Sequence, residues 1–192
     1  MFSNLLKSLK LTLMFCVLFS VGYIFVLWLF AQVFGANNGN AEVVELNGKV
    51  VGAANVGQTF TKDVYFWGRP SCAGDGYDAS SSGGSNKGPS NKEYLAEVET
   101  RIDSFLVHHP YLKRSEVPTE MVTASGSGLD PEISPRAAYA QAQRVAEARN
   151  MSVDAVKALI EEQTKEPVLG LFGPATVNVL KLNVALEKAA AK

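Results

Sequence analysis

From Leu11 to Phe34 the chain carries no charged residue, and only Thr12, Ser20, Gly22 and Gln32 interrupt the hydrophobic run. As a helix rising 1.5 Å per residue, these 24 residues reach roughly 36 Å, enough to cross a hydrocarbon core of about 30 Å with some tilt. Lys7 and Lys10 stand before the run, and the next charge is Glu42. The bias of basic residues toward the cytoplasm therefore predicts a cytoplasmic N-terminus and an extracytoplasmic remainder. A cleaved signal peptide is the competing reading, but its apolar centre normally spans about 7–15 residues. Phe34 before Ala36 is a poor cleavage pattern, and Gly39 before Ala41 a tolerable one. A buried helix of a soluble protein would show a polar stripe. The expectation is a single-pass membrane protein with residues 1–10 cytoplasmic, 11–34 spanning, 35–42 a tether, and 43–192 a soluble domain.

At 192 residues the chain suits one domain plus an appendage. A formal net charge of −1 gives no general electrostatic reason to bind nucleic acid. Beyond residue 40 there remain 16 basic and 19 acidic residues, an ordinary soluble balance. The two cysteines, Cys16 in the apolar run and Cys72 far from it, support neither a disulfide scaffold nor a zinc site.

Val43–Leu46 and Lys49–Ala53 read as strands around Asn47-Gly48, a dipeptide suited to a tight hairpin. Val64–Trp67 is a further β-prone run, stopped by Gly68 and Pro70. Residues 71–91 hold eleven Gly or Ser in 21 positions, the composition of a long loop or flexible linker. Ser90 and Glu93 match a capping box, after which Tyr94, Val98, Ile102 and Phe105 follow at helical spacing to a stop before Pro110. Ser134-Pro135 opens a helix running to about Arg149, Ser152 caps another, and Pro174 opens one expected over 175–188. Strands early and helices late indicate an α+β domain.

No catalytic constellation emerges. The phosphate-binding Gly-x-x-x-x-Gly-Lys-Ser/Thr is missing, and Thr123–Asp130 is its nearest substitute. Its glycines could present backbone N–H groups, and Ser125 and Ser127 could add hydroxyl donors to an anion, although one glycine-rich loop is more often a turn. Ser127 has Ser125 and Leu129 two residues away, not the glycines of a nucleophile elbow, and His108-His109 reads as a surface pair. Carboxylates near the histidines are not at metal-ligand spacings, and Asp75 and Asp78 lack the regular acid spacing of a calcium loop, so no metal site is expected. Asp130 and Glu132 supply paired carboxylates for acid–base work, without a cleft legible in the sequence. Arg136 and Arg144 share a helix face that reads as solvated. Since no ionisable group lies within the apolar run, it is better suited to anchoring and packing than to forming an ion path.

In order along the chain stand Val56–Phe60, Tyr65–Ser71, Gly76–Asp78, Gly84–Ser90, Val122–Pro131, Ile133–Pro135, Gln141, Arg144–Ala146, Ala148–Arg149 and Val177–Leu186. With the apolar N-terminus, this ordered set resembles the KdpC family, the small C subunits of Kdp-type potassium-transporting P-type ATPases, along essentially the whole length. The resemblance implies a non-catalytic accessory subunit of an ATP-driven high-affinity potassium import pump in a bacterial plasma membrane. Its implied partners are a channel-like potassium-binding subunit, a P-type ATPase subunit and a further small membrane subunit. The implied role is assembly, together with raising the ATP affinity of the hydrolysing subunit as a catalytic chaperone. On that view Ser125, Gly126, Ser127, Gly128 and Gln141 become nucleotide contacts, with ATP bound with or through the hydrolysing subunit and potassium as cargo. Gly68, Arg69, Pro70, Ser71, Tyr77, Asp78, Asn86, Gly88 and Pro89 become partner-docking positions. The Asp-Lys-Thr-Gly phosphorylation motif of a P-type catalytic subunit is missing from the chain. Departures from the family pattern fall at Cys72, Asp75, Lys87, Glu132 and Thr164–Pro167. The alternatives are a membrane-anchored extracytoplasmic enzyme and an independent binding module.

Overall fold

A computed structural model describes residues 2–190, which fall into two compact units divided between residues 42 and 43. In the first unit, Phe2–Phe34 form one helix of 33 residues, long and apolar enough to cross a membrane. It comprises α1 (Phe2–Val17), a π-helical stretch over Leu18–Tyr23, and α2 (Ile24–Phe34). The wider turn contains Ser20 and Gly22. None of its hydrophobic side chains is buried against protein, and such a surface calls for an apolar surrounding.

The second unit is α+β. Strands β1 (Val43–Leu46) and β2 (Lys49–Ala53) form an antiparallel hairpin. Asn47 and Gly48 both take positive φ, 53° and 73°, as the turn type that matches strand twist requires. A second sheet has three very short strands, β3 (Glu132–Ile133), β4 (Thr164–Lys165) and β5 (Thr176–Asn178), with β5 in the centre and antiparallel to both neighbours. Ile133 and Thr164 both pair with Val177 across it.

Of the four longer helices described in this unit, the last three pack on β5. α3 (Lys92–His108) begins one residue later than the capping box suggests. Asn91, not Ser90, takes the cap, its Oδ1 accepting the Tyr94 N–H at 2.9 Å, and asparagine caps as well as serine. α4 (Pro135–Arg149) is capped by Ser134 and closed by left-handed Asn150, while α5 (Val153–Gln163) is capped by Ser152. The expected helix over 175–188 is instead β5 followed by α6 (Val179–Ala190). Thr176 and Val177 are β-branched and find strand partners on both sides, and Asn178 Oδ1 accepts the Lys181 N–H at 3.0 Å to start the helix there.

The core lies among α4, α5, α6 and β5, with Phe66, Phe105, Ile133, Val145, Val156, Ile160, Val177, Leu182 and Leu186 buried. Each such side chain contributes about 1.5–3 kcal/mol on leaving water. Ala137, Ala138, Ala142 and Ala146 give α4 a slim buried face, so its neighbours approach closely. Val64–Trp67 is not a strand, because its backbone groups bond the side chains of Arg149, Arg144, Asn183 and Gln141 in place of a neighbouring strand.

Candidate functional site

Two buried carboxamides hold the segment 63–67. Asn183 of α6 accepts the Phe66 N–H at 2.8 Å and donates to the Phe66 carbonyl at 3.0 Å. Gln141 of α4 does the same for Trp67, accepting its N–H at 2.8 Å and donating to its carbonyl at 3.2 Å. An amide side chain presents a donor and an acceptor in the geometry of a peptide group, so it substitutes for a neighbouring strand.

Arg144, also buried, completes the clamp. Its guanidinium donates to the carbonyls of Asp63 at 2.6 Å and Tyr65 at 3.0 Å, to Gln141 Oε1 at 2.9 Å, and to His109 Nε2 at 2.9 Å. The indole of Trp67 covers it at 4.1 Å. Burial pushes its pKa down to about 10, opposed by Asp63, so it stays charged at neutral pH. Arg149 extends the same pattern, donating to the Val64 carbonyl and pairing with Glu187 at 2.6 Å.

His109 is therefore no surface residue. It is fully buried, stacked on Phe105 at 3.9 Å between ring centroids. Its Nδ1 bonds the Phe105 carbonyl at 2.7 Å while Nε2 receives Arg144. Those partners require the neutral tautomer with hydrogen on Nδ1. Burial, with smaller contributions from Arg144 and His108, lowers its pKa to about 4. The two histidines point apart, since His108 is exposed and meets Asp63 at 2.9 Å. Arg144 is equally misread as part of a solvated face, since the interior supplies enough acceptors to bury it.

A second assembly joins the glycine-rich segment to the 123–130 loop. Ser71 Oγ donates to the Gly128 carbonyl at 2.6 Å and accepts the N–H groups of Ala73 and Tyr77. The Gly83 N–H and Ser82 Oγ both donate to the Ser127 carbonyl at 2.9 Å. At Gly128, φ is +68°, and a Cβ would meet Gly83 O at 2.6 Å and Ala73 N at 2.7 Å. Arg69 pairs with Asp130 at 3.1 Å and donates to the Ala124 carbonyl at 3.2 Å. Tyr77, itself at φ +57°, lays its ring against Gly57 and Gly68 and donates its hydroxyl to the Arg69 carbonyl at 2.6 Å. Burial, then Asp130, raises the Tyr77 pKa. Residues 71–91 thus form a loop without regular structure that is fastened to the domain.

Within the 125–128 loop, Ser125 Oγ accepts the Gly128 N–H at 2.9 Å and Ser127 Oγ accepts the Leu129 N–H at 3.1 Å. Two amide donors that an anion would use are occupied by the loop's own hydroxyls. Ser125 is buried, whereas Gly126 and Ser127 are exposed. Gln141 is fully buried, and among the described residues no hydrogen bond joins it to this loop. Of the docking positions, Gly68, Arg69, Pro70, Ser71 and Tyr77 line one open cleft of about 240 Å³, with Gln58, Phe60 and Asp75 among its other walls. Arg69 also reaches a neighbouring depression of about 380 Å³ bounded by Thr119, Thr123, Ser134 and Arg136. Arg69 Nε is buried and, among the described residues, lacks a hydrogen-bond partner. Asp78, Asn86, Gly88 and Pro89 lie on the exposed part of the loop, outside the cleft. Asp78 accepts the Ser80 hydroxyl and N–H, which hold its pKa below the usual carboxylate range.

Sequence reasoning missed Asn183, Arg144, Arg149 and His109 as parts of a clamp. Asn183 carried a signal, a polar residue between Leu182 and Val184 on an apolar helix, as did Gln141 and Arg144 among alanines.

Comparison with known proteins agrees along the chain. The family model KdpC, described as "K+-transporting ATPase, c chain", matches residues 5–188. The potassium-transporting ATPase KdpC subunit of Phocaeicola vulgatus is 72% identical over 186 residues, covering 97% of this chain and 98% of its own. That of Bacteroides fragilis is 71% identical over 185 residues, with 96% and 97% covered. At greater distance, the subunit of Mycobacterium bovis is 44% identical over 185 residues, with 96% and 98% covered.

Proposed function

The chain belongs to the KdpC family, the c chains of K+-transporting ATPases, and from that membership we propose a non-catalytic accessory role in an ATP-driven potassium import pump. The helix Phe2–Phe34 holds it in a bacterial plasma membrane with the N-terminus in the cytoplasm and residues 43–192 outside. Lys7 and Lys10 before the apolar run support that orientation. The domain docks on the channel-like potassium-binding subunit and the P-type ATPase subunit, with a further small membrane subunit in the same assembly. The cleft around Arg69 and Tyr77 is the surface best suited to that docking. The observation that carries this choice is Arg69 itself, tied to Asp130 and Ala124 yet bordering two open depressions.

In this reading the subunit raises the ATP affinity of the hydrolysing subunit without touching the nucleotide. A domain outside the membrane favours the pump conformation that binds ATP, because coupling needs only differential contact with two states. The burial of Gln141 and the self-bonded Ser125–Gly128 loop favour this indirect route over nucleotide contact. The test is purification of the assembled pump in mild detergent, with potassium-stimulated ATP hydrolysis measured with and without this chain. Loss of the chain is expected to raise the KM for ATP. Cross-linking of a photoreactive ATP analogue to this chain within the pump would replace the indirect route with direct contact.

A further inference from the structure

Between β4 and β5 the chain turns through Val168-Leu-Gly-Leu-Phe172 with no charged residue from Pro167 to Leu180. The turn is tightly built. Val168 and Phe172 exchange two backbone hydrogen bonds of 3.0 Å each, and the Leu171 N–H donates to the Val168 carbonyl at 3.1 Å. Leu169 and Gly170 take φ of 57° and 71°, a left-handed pair that a leucine rarely occupies. The outcome is the opposite of burial: Leu169 is 84% exposed, Leu171 81%, Phe172 65% and Val168 59%. Among the described residues of the second unit, Leu169, Leu171, Phe172 and Val107 are the most exposed large hydrophobics, and here three of them stand together beside Val168. Lys165 and Glu166, also exposed, precede them.

We propose that this turn is a lipid-contacting tip, which inserts Leu169, Leu171 and Phe172 into the interface of the bilayer that anchors the chain. Three observations favour a lipid surface over a protein partner. The feature is a convex turn of four side chains, far smaller than the roughly 1,200–2,000 Å² that a stable protein interface buries. Insertion into a bilayer interface needs no matched surface, only apolar side chains at the tip and polar ones behind them. Finally, only eight residues, 35–42, separate the apolar helix from β1, a reach of about 28 Å even when fully extended. The bilayer is therefore present at high effective concentration, and a tip too small to bind a free membrane suffices once the chain is anchored. The inference rests on the anchoring of the helix Phe2–Phe34 and is independent of any effect on ATP.

The full chain with Cys16→Ser and Cys72→Ser is the background for the test. Leu169→Cys and, as a control at an exposed polar position, Ser115→Cys are each labelled with an environment-sensitive fluorophore. Each is reconstituted alone into phosphatidylcholine–phosphatidylglycerol vesicles. Nitroxide placed near the headgroup end of the acyl chains is expected to quench the label at 169 about twofold and to leave the label at 115 nearly unchanged. Adding Leu171→Asp, at a position whose side chain is 81% exposed on the folded domain, is expected to abolish that quenching while thermal unfolding stays where it was. Equal, negligible quenching at both positions in carbonate-resistant vesicles overturns the proposal. If adding the other pump subunits then shields position 169, the tip is a protein-docking element instead. A chain released by alkaline carbonate would overturn the anchoring itself, a failure distinguishable from an unquenched tip.

Discussion

At residue scale, the buried polar groups have unequal consequences when changed. Gln141→Ala removes a clamp and leaves the Trp67 N–H and carbonyl and one Arg144 N–H facing apolar surroundings. A loss of about 3 kcal/mol is expected, measured by chemical unfolding of the full chain in detergent. His109 predicts a pH dependence. Its folded pKa of about 4 lies below the ordinary 6.5, so the unfolded chain binds a proton more readily than the folded one. This contribution is fully present above about pH 6.5 and is lost as pH falls toward 4, amounting to about 3 kcal/mol at most. Thermal unfolding between pH 7.5 and 4.5 should show the decline. His109→Gln, with no proton to gain in that range, should flatten the slope even though it unfolds at lower temperature throughout.

At the scale of elements, two glycines two residues apart in the same loop respond differently. Gly128→Ala forces a side chain into the backbone of Gly83 and Ala73 at a positive φ. It is expected to detach the 71–91 segment, seen as rapid cleavage there in limited proteolysis of the membrane-embedded chain. Gly126→Ala meets nothing within 4 Å and should leave the cleavage pattern unchanged. The start of α3 makes a similar contrast. Asn91→Ala should cost about 1 kcal/mol and Ser90→Ala almost nothing, because only Asn91 accepts the Tyr94 N–H. The hairpin, α4 and α5 were legible because turn and cap residues act within three or four positions of themselves. The strand β5 was not, since three residues become a strand only when partners from 132–133 and 164–165 arrive on both sides.

At the scale of the whole molecule, the proposed docking cleft can be probed without disturbing the core. Asp75 is exposed and lines the cleft. Asp75→Lys should leave the unfolding temperature unchanged while lowering recovery of the partner subunits severalfold in mild-detergent purification. Unchanged recovery and unchanged potassium-stimulated hydrolysis would move the docking surface elsewhere on the domain. The apolar helix, the α+β order and the family pattern of this chain were all legible before any folding. Each rests on composition, short-range periodicity or residue order, all properties of the linear chain. What Gln141, Arg144, His109 and Asn183 do emerges from the folded arrangement alone. A polar side chain becomes a clamp, a contact or a solvated charge according to the groups that meet it, and for these four the partners include groups 35 to 117 residues away.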